Sequence, residues 1–294
     1  MFCNTPVIAI FAYTETPDMK TVKWILAVTA VMFAAVSCGN KTKAPKVLVL
    51  YYSQTSNTKT LAEEIATRLG ADIEEIVPVQ PYDGTYMETI ERSGKERESG
   101  ILPELQPISS DISAYDVVFL GYPIWFGTYA RPIATLLDQI DLSGKKVVPF
   151  CTFGSGGLSS SVKDLKEKQP GAEILPGYGV RAARMAAVPK EIDNFLKQNG
   201  FVEGEYIKLD EFPEQHPVSE EEAAIFSEAI SEYPMMSNTS ATAAASRSIP
   251  GGTEYLFTAV SAPREGAPQM GPMEMKVYVT VEDGGKPEFT QVVR

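Results

Sequence analysis

The chain has 294 residues, 38 acidic against 26 basic, and a formal net charge of −12. That balance excludes a nucleic acid or an anionic membrane face as partner, because both are held by basic patches. The single histidine, His216, lies in the acidic, proline-flanked stretch 214–217 and reads as a solvated linker residue, which argues against Ser–His–Asp or Cys–His catalysis and against a His-ligated zinc site.

Residues 1–18 carry no basic residue and precede a better start at Met19. From there Lys20 and Lys23 form a short basic region. Trp24 to Val36 is an apolar run of 13 residues, the length of a signal-peptide core and too short to span a bilayer. The segment Ala35-Val36-Ser37-Cys38-Gly39 resembles the lipobox of bacterial lipoproteins. That resemblance implies cleavage before Cys38, acylation of Cys38, and an exported protein held by lipid at the cell-envelope membrane, on its periplasmic or outer-surface side. Residues 1–37 are then a mis-assigned start plus signal peptide, and residues 38–45 a tether. The remainder keeps its net charge, because Lys20 and Lys23 offset Glu15 and Asp18. Cys151 is left as the one thiol of the folded part, so no intramolecular disulfide forms and the core alone must stabilise the fold.

From Lys46 to about Gly200, strand and helix patterns alternate. Val47–Tyr52 reads as a buried strand and Thr58–Leu69 as an amphipathic helix ending at Gly70. Asp72–Val79 is a second strand, followed by a polar crossover with a helix near Tyr86–Glu96. Asp116–Leu120 is a third buried strand and Thr128–Ile140 a helix. Lys146–Thr152, Ser159–Lys168, a weak strand Glu173–Leu175 and the helix Pro189–Gln198 complete the series. Cys151, at the end of a buried strand, reads as a packing thiol. Strands separated by helices make right-handed βαβ units and a parallel sheet covered on both faces. The Gly177–Ala182 segment imitates a dinucleotide fingerprint but precedes no βαβ unit. Arg181 and Arg184 read as solvated charges at the sheet's C-terminal edge, their other use being contact with a substrate or redox partner.

After Gly200 the pattern changes. Phe201–Leu209 reads as a strand and Asp210–Pro217 as an acidic, proline-rich link, so residues 201–217 are a linker or edge strand. Residues 218–294 combine one helix, Ser219–Glu232, with strands at Ala241–Ile249, Thr253–Ala262, Met273–Glu282 and Pro287–Val293, joined by turns without helices. This is a separate α+β module, one helix against an antiparallel meander.

Two segments of the first region carry chemistry. The strand Val47–Tyr52 empties into Ser53-Gln54-Thr55-Ser56-Asn57-Thr58 and then into a helix. The first helical N–H groups have no intrahelical partner, and the macrodipole adds positive charge there. Ser53, Thr55, Ser56 and Thr58 add hydroxyls and Asn57 an amide, while the first cation is Lys59. Neutral donors of this kind suit a phosphomonoester better than a triphosphate with Mg²⁺. The second segment, Gly121-Tyr122-Pro123-Ile124-Trp125-Phe126-Gly127, ends the third strand. Flat aromatics beside a glycine backbone suit a planar heteroaromatic ring. In a sheet of order 2-1-3-4-5 the ends of strands 1 and 3 flank the switch-point crevice.

Together with Cys151-Thr152-Phe153-Gly154-Ser155-Gly156-Gly157, these segments resemble the flavodoxin family, especially its bacterial flavodoxin-like branch. The resemblance implies a five-stranded, doubly wound parallel sheet and bound FMN. Ser53, Thr55, Asn57 and Thr58, with Ser56 in the same turn, would hold the phosphate. Pro123, Ile124, Trp125, Phe126 and Gly127 would line one side of the isoalloxazine, and Thr152, Phe153, Gly154, Gly156 and Gly157 its edge or the ribityl side. Ser56 stands where the family has glycine, so a position that needs positive φ carries a Cβ at a cost of about 1 kcal/mol.

These readings imply an electron-transfer protein or flavin-dependent reductase of the quinone-reductase kind. Nothing in the chain marks a nicotinamide site, so carrier and reductase stay open. The acidic surface suits a basic redox partner. Two lips without cations predict a flavin of low potential. The alternative is an exported binding or scaffold lipoprotein whose flavodoxin-like domain no longer binds FMN. The C-terminal module is loosely similar to cystatin-like folds, without their Gln-x-Val-x-Gly loop.

Overall fold

The computed structural model describes residues 45–263 and 272–293; Cys38 and the signal segment lie outside the described residues. In chain order the first region contains β1 (Val47–Tyr51), α1 (Asn57–Leu69), β2 (Asp72–Glu75), α2 (Tyr86–Ser99), β3 (Val117–Trp125) and β4 (Thr128–Tyr129). It continues with α3 (Arg131–Gln139), β5 (Lys146–Phe153), α4 (Leu158–Lys168), β6 (Glu173–Ile174), β7 (Tyr178–Arg181) and α5 (Val188–Gln198). The second region contains β8 (His216–Pro217), α6 (Glu220–Ile230), β9 (Thr239–Ile249), β10 (Gly252–Ser261), β11 (Met273–Glu282) and β12 (Pro287–Val293).

The first sheet runs β2-β1-β3-β5-β6, with the β1, β2, β3, β5 and β6 pairings parallel. It is the expected 2-1-3-4-5 order. The fifth position is split: β6 pairs with the start of β5 and β7 with its end, because Leu175-Pro176-Gly177 interrupts the strand. The strand period of two sends successive side chains to opposite faces. Leu48, Leu50, Val118 and Leu120 pack with Ile133 and Leu136 of α3 and Leu165 of α4. Val49, Tyr51 and Phe119 pack on the other face with Leu61 and Ile65 of α1 and Ile192 and Leu196 of α5. Helices therefore cover both faces, and the central strands are apolar throughout.

Local chemistry explains where elements begin. Thr85 and Ser219 close capping boxes with Glu88 and Glu222 on α2 and α6. Pro132 near the start of α3 sets that helix three residues later than the sequence pattern predicts, and Thr128–Tyr129 instead turns back on Ile124–Trp125. Phe201–Leu209, expected as a strand, is irregular; Phe201 leaves it to pack on Phe119, ring centroids 5.0 Å apart.

The second sheet is an antiparallel meander, β12-β11-β10-β9-β8, with α6 laid against it. Phe226, Ala229 and Ile230 of α6 meet Phe257, Val277, Val279 and Phe289. His216 sits exposed on the short edge strand, its Nε2 3.5 Å from Glu222. Both sheets belong to one compact unit. Among the described residues, no helix is long and apolar enough to cross a membrane.

Candidate functional site

β1 and β3 lie side by side, and their connections leave in opposite directions, to β2 and to β5. The carboxyl ends of the two strands are therefore the switch point of the sheet. Tyr52 extends the pairing by donating its N–H to Gly121 O at 3.0 Å. The Ser53–Thr58 turn and the Gly121–Gly127 segment thus form two lips of one crevice.

In the first lip the chain enters α1 through Ser56 at φ 67° and ψ −9°. This left-handed conformation is the one expected from the serine-for-glycine departure. Ser56 caps the helix through its carbonyl, which accepts from Thr60 N at 2.9 Å, while its side chain makes no cap bond. Replacing Ser56 by glycine is therefore expected to stabilise the protein by about 0.5–1 kcal/mol, read as a higher urea midpoint, because strain goes and no hydrogen bond is lost. No acidic residue stands in the first turn of α1, so the dipole faces the lip uncompensated.

The side chains of this lip fall into two groups. Thr55 and Ser56 are exposed and Asn57 half-buried. Ser53 Oγ is buried with no hydrogen-bond partner, a position that costs about 1–3 kcal/mol unless an acceptor arrives. Thr58 is 1 % exposed, and its hydroxyl lies 2.8 Å from that of Thr152, which is also buried. This pair ties the first lip to the end of β5. Gln54, which sequence reasoning passed over, fastens the turn to α2 by donating to Thr89 Oγ1 at 2.7 Å.

The second lip turns out at Phe126, whose φ is 50°, and Gly127. Trp125 is half-buried and packs edge-on against Tyr52 and Tyr82, with centroids 5.7 and 5.0 Å away. Burial pushes both tyrosine hydroxyls well above the usual phenol range, so they stay neutral. Phe126 is exposed, and beside it a cavity of about 410 Å³ is lined by Arg97, Trp125, Tyr129 and Arg131.

The third loop meets the second directly. Gly157 has φ 126°, and a Cβ there would come 2.5 Å from Ile124 Cγ2, so glycine is required by both backbone and neighbour. Pro123 is half-buried and pairs in register with Thr152. Phe153 is strand rather than loop: its ring is 5 % exposed in the core, which leaves only its backbone to a ligand. Gly154 is exposed, and Gly156 lies against Val292 of β12. Cys151 is fully enclosed, and burial pushes its thiol far above the ordinary range, consistent with a packing role.

Two cations from outside these segments approach the second lip and the third loop in space. Arg97 of α2 lies over the Phe126 ring at 5.6 Å, and Arg181 donates through Nε to Gly154 O at 2.8 Å. Neither Arg181 nor Arg184 is a solvated surface charge. Arg181 is 4 % exposed, and Arg184 bonds Glu191 and Glu288 at 2.8 and 3.1 Å. The packing of the second sheet against the first encloses both. Among the described residues no cluster of side chains is suited to a metal.

A doubly wound parallel sheet whose switch point presents a hydroxyl-lined helix N-terminus opposite an aromatic segment defines a flavodoxin-like α/β fold. A profile described as flavodoxin matches residues 46–195, and the chain belongs to the flavodoxin family. An uncharacterized protein of Methanocaldococcus jannaschii is 32 % identical over 134 residues, which span 44 % of this chain and 71 % of that protein. Among solved structures, a candidate flavoprotein from Bacteroides eggerthii is 33 % identical, with 51 % of this chain and 96 % of that one covered and a TM-score of 0.45. A flavoprotein from Lactobacillus acidophilus, solved in complex with FMN, is 28 % identical, with 51 % and 97 % covered and a TM-score of 0.43.

Proposed function

We propose that the chain binds FMN at the switch point and works as a lipid-anchored electron-transfer flavoprotein of the cell envelope. The observation that carries this reading is the Ser53–Thr58 turn: a strained left-handed Ser56, a buried Ser53 hydroxyl without partner, and an uncompensated helix N-terminus converge on one lip. A phosphate accepting from Ser53, Thr55, Ser56, Asn57 and Thr58 would satisfy these groups together. The Pro123–Gly127 lip, with Ile124 and Trp125 at its base and Phe126 at its mouth, would flank the ring, while backbone groups of the Thr152–Gly157 loop hold its edge. FMN bound there supplies one- and two-electron chemistry, and the protein sets its potential and access.

The net charge of −12 disfavours added negative charge on the cofactor, so the potential should lie below that of free FMN. The same charge suits a basic redox partner approaching past exposed Phe126. Acylation at Cys38 accounts for the membrane location, and mass analysis of the mature N-terminus tests it. The flavin reading is tested by passing the purified protein, mixed with FMN, through a desalting column. Flavin absorbance that stays with the protein, with potentiometry giving a midpoint below free FMN, is the expected outcome. A colourless protein that leaves FMN fluorescence unquenched overturns it.

A further inference from the structure

Arg181 closes β7 and, among the described residues, is the only charged side chain buried. A buried charge is costly unless its hydrogen bonds are satisfied. Here the partners are neutral and come from the loop after β5, from β12 and from the segment between α6 and β9. Nε donates to Gly154 O at 2.8 Å, one terminal nitrogen to Phe289 O, and the other to the Tyr233 hydroxyl. The guanidinium also lies over the rings of Tyr233 and Phe289, at 4.4 and 4.6 Å. Burial lowers its pKa, yet an arginine stays protonated in a protein.

One step along the loop, Ser155 O accepts from Val292 N at 2.6 Å. Val292 stands opposite Val277 in the β11–β12 register, and its N–H is turned outward to the loop. A Cβ on Gly156 would come 2.1 Å from Val292 O, so only glycine allows this approach. Two successive carbonyls of the loop, those of Gly154 and Ser155, are thus held from outside. In a trans peptide the N–H points opposite to the C=O, so the N–H groups of Ser155 and Gly156 face away from these partners.

We propose that Arg181 and the Val292 N–H make the C-terminal sheet a fixed clamp on the Gly154–Gly157 loop. Arg181 is thereby a positioning residue of the flavin site whose charge also raises the potential of the bound flavin. This rests on the FMN reading above. It gives the C-terminal module a function: the module holds two backbone donors in the direction a ligand needs and places a cation one hydrogen bond behind them. The conformational cost of ordering a glycine-rich loop is then met during folding and not during binding.

The test is FMN titration and potentiometry on the full mature chain and four variants. Val292→Pro removes the N–H at an outward position of an edge strand, where the sheet itself tolerates proline. Val292→Ile keeps that N–H. Arg181→Met removes donors and charge, and Arg181→Lys keeps the charge. Val292→Pro and Arg181→Met should bind FMN about tenfold more weakly or worse, with Val292→Ile close to wild type. Arg181→Met should also lower the flavin midpoint potential, and Arg181→Lys should restore most of that shift. Should Arg181→Met fail to fold, the proline and lysine variants carry the test. Unchanged affinity and potential in both disruptive variants, or equal losses in Val292→Pro and Val292→Ile, overturn the clamp while leaving the flavin reading intact. Failure of the wild-type chain to bind FMN overturns the flavin reading and this proposal with it.

Discussion

Thr58→Val should weaken FMN binding about ten- to a hundredfold, measured by quenching of flavin fluorescence. Thr58 is enclosed at the base of the first lip, its hydroxyl 2.8 Å from that of Thr152. Valine keeps much of the shape and removes one donor to a charged acceptor, an interaction worth about 1.5–3 kcal/mol. It also leaves the Thr152 hydroxyl buried without its partner, so stability should fall by about 1–3 kcal/mol. The two effects separate in the double variant. Removing both hydroxyls of a buried pair is close to neutral, so Thr58→Val with Thr152→Val should recover most of the stability. It should not recover FMN binding. Recovery of both would mean that Thr58 acts only through packing.

Gly121→Ala should destabilise the fold by about 1–3 kcal/mol or more, lowering the melting midpoint by about 2–4 °C for each kcal/mol. A Cβ there would lie 2.1, 2.3 and 2.9 Å from three atoms of the Phe150 ring. That ring is fully buried between β3, α1 and α5, so it has no room to withdraw. Pairing Gly121→Ala with Phe150→Leu should return part of the loss, because the smaller side chain vacates the overlap. Melting of the four proteins gives the coupling directly. Additive losses would show that the glycine is needed for another reason.

Gly121 also shows how far the sequence can be read. Its place beside Tyr122 and Trp125 marks a ligand lip, and the lip is where β3 ends. The reason for glycine at this position is different: it makes room for a core phenylalanine on the neighbouring strand. Local patterns were readable where the cause was local. The apolar run of β1, the hydroxyl turn, and the serine in a glycine's place lead directly to Ser56 in the left-handed region. The strand–helix alternation gives a parallel sheet covered on both faces, while the strand order follows from the resemblance to the flavodoxin family.

The burial of Arg181 has a cause distant in sequence. Arg181 lies in the Gly177–Ala182 segment, three residues before a second arginine, and reads as a solvated charge at the sheet edge. Its burial depends on Tyr233 and Phe289, 52 and 108 residues away, whose approach no local pattern announces. Phe153 reads as part of a glycine loop because Gly154 follows it, but the β-forming run from Val147 carries the strand one residue further. Phe201–Leu209 has strand composition, but the end of the second sheet is taken by His216–Pro217.

A Ser53–Thr58 turn that holds the phosphate of a flavin mononucleotide must distinguish FMN from riboflavin. Side-by-side titration of the mature protein with FMN and with riboflavin tests it most directly, since the two ligands share a ring and differ in the phosphate. Both ligands should be quenched through the shared ring contacts, with FMN bound at least about tenfold more tightly and Thr58→Val narrowing that gap. Equal affinities for FMN and riboflavin, or binding of neither, would contradict it.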